Sequence, residues 1–409
     1  STLDSKTIEK LIDNLQKSTE PLQKFIQIAM NESLLDNLAN YGQIMVYLSN
    51  HLRSIKYRQN SNDVYKIIQL LSLLLNNEQL KESFFENNCQ NSLLFVLSEF
   101  TTSLIPKLLD CLSIVIRSND CKIKLDEKQL NRISSYLLCA DMNMRQTAAN
   151  LLLLIAEKKS VINSLDDFSV IIGNLLVNLY PEMNNSTFMM SIVKLLLILV
   201  QQSEKARNQI ISLFEPEKTI SLLTSKNYQV LDLSLDLLIA LCSDENVRSR
   251  TYQIFVDEFS SIIKNSIHSS VLLYKLYQLM YLYFRDKSMF EYISTSEDFV
   301  PNFVKNCINY ESNKKSSSQD IYLVLSMKLL YVLCRTDSTA HLLFPFIGDI
   351  INHLSLVIIP QIAVFAALSL TSLLSKIENP NEKIKDNLKE LEKFAKFAFS
   401  VSNETTLAA

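Results

Sequence analysis

The chain has 409 residues, with 3 Gly, 8 Pro, no Trp and a net charge of −3. Gly and Pro fall well under the usual ~7% and ~5%, and tight hairpins need Gly, so a β-rich fold is excluded and a helical one is expected. No basic block stands out, so nucleic acid is not an expected partner, and the length exceeds one ordinary core unless the chain is built of repeats.

Residues 1–60 read as N-terminal capping helices. Within them, 21–57 hold a partial apolar unit: Phe25, Ile26, Ala29, then Leu34, Leu35, Leu38, Ile44 and Leu48. Residues 61–376 read as about eight repeats, each marked by one Leu in its most apolar helix. The marks are Leu71, Leu112, Leu152, Leu196, Leu238, Leu279, Leu330 and Leu370. They recur at 40 to 44 residues, except for one interval of 51. Three residues before the mark (position −3) stand Ile68, Leu109, Ala149, Val193, Leu235, Leu276, Met327 and Ala367. At +3 stand Leu74, Val115, Ile155, Leu199, Leu241, Leu282, Leu333 and Leu373. At −7 only Arg145 breaks an apolar row. Positions −7, −3, 0 and +3 share one face of an α-helix, which is therefore the face each repeat buries.

A polar break follows each marked helix, as in NNEQLKESFFENN after Leu75, and its Asn, Asp and Ser residues suit helix N-caps. Asp166–Asp167 reads as such a cap before Phe168. The long interval contains Glu311 to Asp320 (ESNKKSSSQD), expected to be a flexible insertion whose removal restores the common period. Leu354 to Leu374 lacks charge and is long enough to span a bilayer, but Pro360 falls where the register breaks between helices. A buried helix pair is the expectation there, and membrane association the competing one. Residues 377–409 read as a C-terminal capping helix and tail. Ile384, Leu388, Leu391, Phe394 and Ala398 fall on one side of a helix over 381–399, with Glu392 and Lys396 on the other.

Signals for chemistry are sparse. There is no Gly-rich phosphate loop, nucleophile elbow or His-Glu-x-x-His. His51, His268, His341 and His353 are far apart in sequence, so no catalytic or metal His is expected, and no cofactor. Asp232 and Asp236 could hold a cation, although a solvated helix face is the simpler reading. The seven Cys are odd in number and follow no zinc or redox spacing; Cys111, Cys139, Cys242 and Cys334 lie in apolar runs. Reduced thiols in a cytoplasmic or nuclear protein are expected. The polar N-terminus carries no signal peptide, and the start at Ser1 reads as that of a fragment. Tyr and Phe crowd residues 252–299; Tyr283 holds an apolar position, whereas Tyr277 and Tyr281 do not, and exposed aromatics are typical interface anchors, although core packing is the expectation for any single ring.

A period near 42, with a long apolar third helix and a short polar break, resembles the armadillo repeat, with HEAT repeats as the near alternative. The resemblance covers about residues 21 to 400. It implies an all-α, right-handed armadillo/HEAT-type helical solenoid that binds proteins on its concave face and does no catalysis. Armadillo units usually carry a Gly after the third helix, and this chain lacks it in nearly every unit. The candidate binding residues sit at −2, the most polar position: Gln69, Asp110, Asn150, Lys194, Asp236, Tyr277 and Lys328. In nuclear-import armadillo adaptors the similar positions −2 and +2 carry Trp and Asn. Here +2 reads Leu73, Ile114, Leu154, Ile198, Ala240, Tyr281, Val332 and Ser372, so nuclear-signal binding is excluded and burial of this row is expected. Residues 64–118 resemble the regulatory armadillo region of a diaphanous-type formin, which implies a Rho-type GTPase partner and an actin role. An Hsp70 nucleotide-exchange or co-chaperone factor on the same scaffold is a further alternative.

Overall fold

The computed structural model describes residues 4–54, 61–99, 104–179, 185–308, 320–356 and 360–400. The chain divides into two compact units, Ser1–Leu213 and Phe214–Ala409. Among the described residues the regular structure is helical, apart from one isolated parallel bridge between Leu125 and Ile162.

The first unit contains α1 (Ser5–Lys17), α2 (Leu22–Ala29), α3 (Glu32–Leu38), α4 (Gln43–Arg53), α5 (Ser61–Leu74), α6 (Glu78–Glu86), α7 (Gln90–Glu99), α8 (Ile105–Arg117), α9 (Glu127–Ser135), α10 (Met142–Lys158), α11 (Ile172–Leu176), α12 (Ser186–Gln202) and α13 (Glu204–Leu213). The helices form two rows. The marked helices α5, α8, α10 and α12 pack side by side, and α2 continues their row; α1, α4, α7, α9 and α11 form the second. Residues 5–53 thus supply helices to both rows.

The second unit contains α14 (Pro216–Ser221), α15 (Tyr228–Leu241), α16 (Glu245–Ser266), α17 (Ser270–Phe284), α18 (Lys287–Ser294), α19 (Phe299–Ile308), α20 (Asp320–Arg335), α21 (Asp337–Leu343), α22 (Ile347–Leu356), α23 (Pro360–Leu374), α24 (Pro380–Ile384) and α25 (Leu388–Ser400). Its marked helices α15, α17, α20 and α23 again lie side by side, with α14, α16, α19, α22 and α25 as the second row.

The repeat register is the burial pattern. Every residue at 0 and −3 is buried, and at +3 only Leu282 is partly open. Arg145, the break at −7, is half-buried and donates from Nε to the Cys139 carbonyl at 2.5 Å. Side-chain caps start the helices: Asn77, Asp141, Asn185, Asn227, Asp244 and Ser269 each accept from a backbone N–H in the following turn. At Asp166–Asp167 the cap is instead Ser164. Its hydroxyl accepts from Asp166 N–H, and the Asp167 carboxylate accepts from Ser164 N–H.

Helix ends need a substitute for the missing Gly, because their last carbonyls have no partner within the helix. Basic side chains supply it. Lys158 Nζ donates to the carbonyls of Ile116 and Ser118 at the end of α8, and Arg207 to Val200 O at the end of α12. Arg248 donates to Cys242 O and Ser243 O beyond α15, and Lys376 to Cys334 O in α20. Positive charge at a helix C-terminus also suits its dipole.

One repeat departs from helix. Between α8 and α9 the chain is extended, with Cys121, Ile123 and Leu125 buried and Lys122 and Lys124 outside. That alternation of two is a strand signal embedded in a helical repeat.

The insertion at 311–320 lies outside the described residues, save Asp320, which opens α20. The uncharged stretch from Leu354 comprises the end of α22 and all of α23, with 357–359 outside the described residues. Among the described residues no helix is long and apolar enough to cross a membrane. Finally, 381–399 is not one helix. A 3₁₀ turn at Lys385–Asn387 separates α24 from α25 and leaves Leu388 exposed rather than on the apolar side.

The register makes a contrast. Leu152→Ala removes a buried side chain and is expected to cost about 2–5 kcal/mol. Leu154→Ala, at a half-exposed +2 position, is expected to cost about 1 kcal/mol or less. Urea unfolding followed by circular dichroism reads both; equal costs would contradict the register.

Candidate functional site

In each unit, the candidate binding face is the one that carries −2 and +2 on the marked third helices. In the first unit, Asp110, Asn150 and Lys194 are exposed and Gln69 is half-buried. Asn150 is tied to its neighbours: its Oδ1 accepts from Gln146 Nε2 and from Ser191 Oγ of α12, each at 2.8 Å. Lys194 pairs with Glu157 of α10 at 2.7 Å. Both contacts cross from one third helix to the next. They fix the lateral register of α10 against α12, and their exposed ion pair adds little stability by itself.

In the second unit, Asp236 is half-buried, Lys328 is exposed and Tyr277 is only 1% exposed. Tyr277 is therefore not a surface residue. The buried stripe of α17 is rotated so that Leu273, Tyr277 and Met280 join it, while Leu282 moves outward. The cause is an aromatic core: Tyr277 packs edge-on to Phe303 at 5.8 Å, and Phe255, Phe259 and Phe299 cluster beside Tyr283. Tyr283 donates or accepts with Thr251 Oγ1 at 2.9 Å, and burial pushes its phenol well above the ordinary range. Tyr281 points the other way and is 54% exposed.

Asp232 and Asp236 do hold a cation, the ammonium of Lys275. It lies one repeat later and reaches both carboxylates, at 2.6 and 2.7 Å, across α15 and α17. Burial works to lower the Lys275 pKa, but its hydrogen bonds to the two carboxylates outweigh that and hold it above the ordinary 10.5. Lys328 likewise reaches the next third helix, with Nζ 5.6 Å from the centre of the Phe365 ring. Sequence reasoning missed these partners, although Lys275 follows the two aspartates at 43 and 39 residues, close to the repeat period.

The +2 row is not deeply buried, contrary to expectation. Leu73, Ile114, Leu154 and Ile198 are half-buried, whereas Tyr281 and Val332 are exposed. Position +2 lies about 200° around the helix from the mark, opposite the face that meets the second helices, so neighbouring third helices cover it only in part.

Among the described residues no three His, Cys, Asp or Glu are grouped to hold a metal. His51 is buried, with Nε2 donating to Leu15 O, while His268 and His341 are exposed. Burial pushes the Cys111 and Cys334 thiols up to about 12 and that of Cys242 to about 11, which keeps them protonated at neutral pH.

No family model matches the chain, and no curated protein is significantly similar to it. Solved structures do match. A crystal structure of an engineered protein is 13% identical and covers 98% of this chain and 96% of its own, with a TM-score of 0.54. A structure from work on the phosphorylation switch between cadherin and β-catenin is 11% identical, covers 95% and 84%, and has a TM-score of 0.55. A designed armadillo repeat protein with the peptide (KR)4 matches 57% of this chain and 97% of its own at 11% identity; its TM-score of 0.42 carries no weight. The fold is an armadillo/HEAT-type helical solenoid. Its third helices are the marked helices described above, and the ties at −2 join successive repeats of that solenoid.

The clamp on Lys275 generates a pH-dependent expectation. Lys275→Met leaves two carboxylates facing each other and is expected to cost about 1–2 kcal/mol, between exposed and buried ion pairs. Because the folded pKa lies above the unfolded one, the lysine's contribution is complete below pH 10.5 and is lost as pH rises through the folded value. The gap in urea midpoint between wild type and variant should therefore be full at neutral pH and close above that value. A constant gap would contradict the clamp.

Proposed function

We propose that this solenoid is a non-catalytic scaffold that holds protein partners on the third-helix faces of its units. The observation carrying this reading is the +2 row of the first unit. Four successive third helices each leave a half-buried aliphatic side chain there, beside the polar row Gln69, Asp110, Asn150 and Lys194. Half-buried apolar rows rimmed by polar groups are what protein interfaces cover. The solved structure from the cadherin and β-catenin work supports the reading by fold alone.

A narrower form makes the partner a Rho-type GTPase, on the strength of the formin-like pattern over residues 64–118. A cytoplasmic location suits either form.

Affinity capture from lysate with the full chain, run with a GTP analogue and with GDP, tests both. Partners should be recovered, and Asp110→Arg combined with Lys194→Glu should weaken them at least about tenfold, or ~1.4 kcal/mol. Recovery unchanged in that variant would contradict the assigned face. Partners recovered only with the GTP analogue would support the narrower form, and indifference to nucleotide would sink it.

A further inference from the structure

The second unit leaves more apolar surface open on its third helices than the first. On α20, Ile321 is 60% and Val332 39% exposed, and on the adjoining α17 Tyr281 is 54% exposed. Ile321, Leu325, Lys328 and Val332 follow the spacing i, i+4, i+7, i+11, which is one stripe of a helix. That stripe runs ~16 Å at 1.5 Å per residue. Packed third helices lie ~8–10 Å apart, so Tyr281 on one side and Phe365 on the other flank it within the width of one more helix.

Apart from Asp320 at its start, the charges along the stripe are cations. Across α17, α20 and α23 the only carboxylate is Asp320, the first residue of α20. The cations are Lys275, already held by Asp232 and Asp236, and Lys328 and Arg335. Lys328 lies over Phe365 and Arg335 over Tyr331, each 5.6 Å from the ring centre, and no carboxylate is paired with either among the described residues.

The +2 row here is Ala240, Tyr281, Val332 and Ser372, with no amide side chain to grip a partner's backbone. A segment laid on this stripe must satisfy its own backbone N–H and C=O groups, which a helix does internally. An extended peptide would bury them unpaired.

We propose that α17, α20 and α23 dock an acidic amphipathic helix of a partner protein. Its apolar face covers Tyr281, Ile321 and Val332, and its carboxylates meet Lys328 and Arg335. This rests on the scaffold reading and names the partner's chemistry at one part of it.

The test is a display selection on the full chain with three libraries of 20-residue peptides. The first has apolar residues at i, i+3, i+4 and i+7 with Glu and Asp elsewhere. The second replaces the acids by Lys and Arg. The third keeps the acidic composition but scrambles the apolar positions. Binders should come from the first library. Lys328→Glu and Tyr281→Ser, both at exposed positions, should each weaken them at least tenfold with the circular dichroism unchanged, and added salt should weaken them further. Binders from the other libraries, or binders indifferent to both substitutions, overturn the proposal. If the binders obtained are weakened only by Asp110→Arg with Lys194→Glu, the scaffold reading stands and this one falls. No binder from any library overturns it too, and lysate capture that also yields no partner then removes both readings.

Discussion

A third helix such as α10 is apolar along more of its surface than its own repeat can cover. Ala148, Ala149, Leu151, Leu152, Ile155 and Ala156 are all buried on it, and α8 and α12 lie on either side. Burying one Leu or Ile side chain contributes roughly 1.5–3 kcal/mol, so losing a neighbour exposes several such contributions at once. Stability is therefore shared between adjacent repeats, as in other stacked arrays. The two-row order within each unit follows from this single requirement.

Apolar burial tolerates sliding, and polar contacts between repeats fix the register. They recur near one repeat period: Asn174 donates to Ser134, Asn302 to Ser260, Asn265 to the Thr224 carbonyl, and Lys275 binds Asp232 and Asp236. The same logic explains how the chain manages without Gly after its third helices. Lys158, Arg207, Arg248 and Lys376 reach the free carbonyls at the helix ends, and Lys158 and Lys376 do so from the following repeat. Only Lys159, at φ 53°, takes the left-handed conformation after a third helix among the described residues.

Much of this was legible because the repeat places apolar residues at fixed offsets. Positions 0 and −3 read as core and are core in every repeat. The failures share a cause: the register describes one helix, whereas burial depends on what lies opposite. Tyr277 entered the candidate binding row from its offset alone, and Phe303 on the facing α19 draws it inward. The +2 row was read as deeply buried, and it is only partly covered because neighbouring third helices meet beside it. Asp232 and Asp236 were read as a possible cation site with a solvated helix face as the simpler reading, and the cation they hold stands a full repeat away. Cys121, Ile123 and Leu125 did carry a readable alternation, overlooked against a helical background.

The third-helix faces combine open apolar side chains with charges already committed to the repeat or held over aromatic rings. That is a surface suited to holding a partner. Hydrogen–deuterium exchange on the full chain, alone and with the partner that capture identifies, tests this most directly. Slowed exchange should fall on third helices such as α8, α10, α17 and α20. Protection confined to second-row helices such as α9, α16 and α19 would contradict the assignment of the binding face.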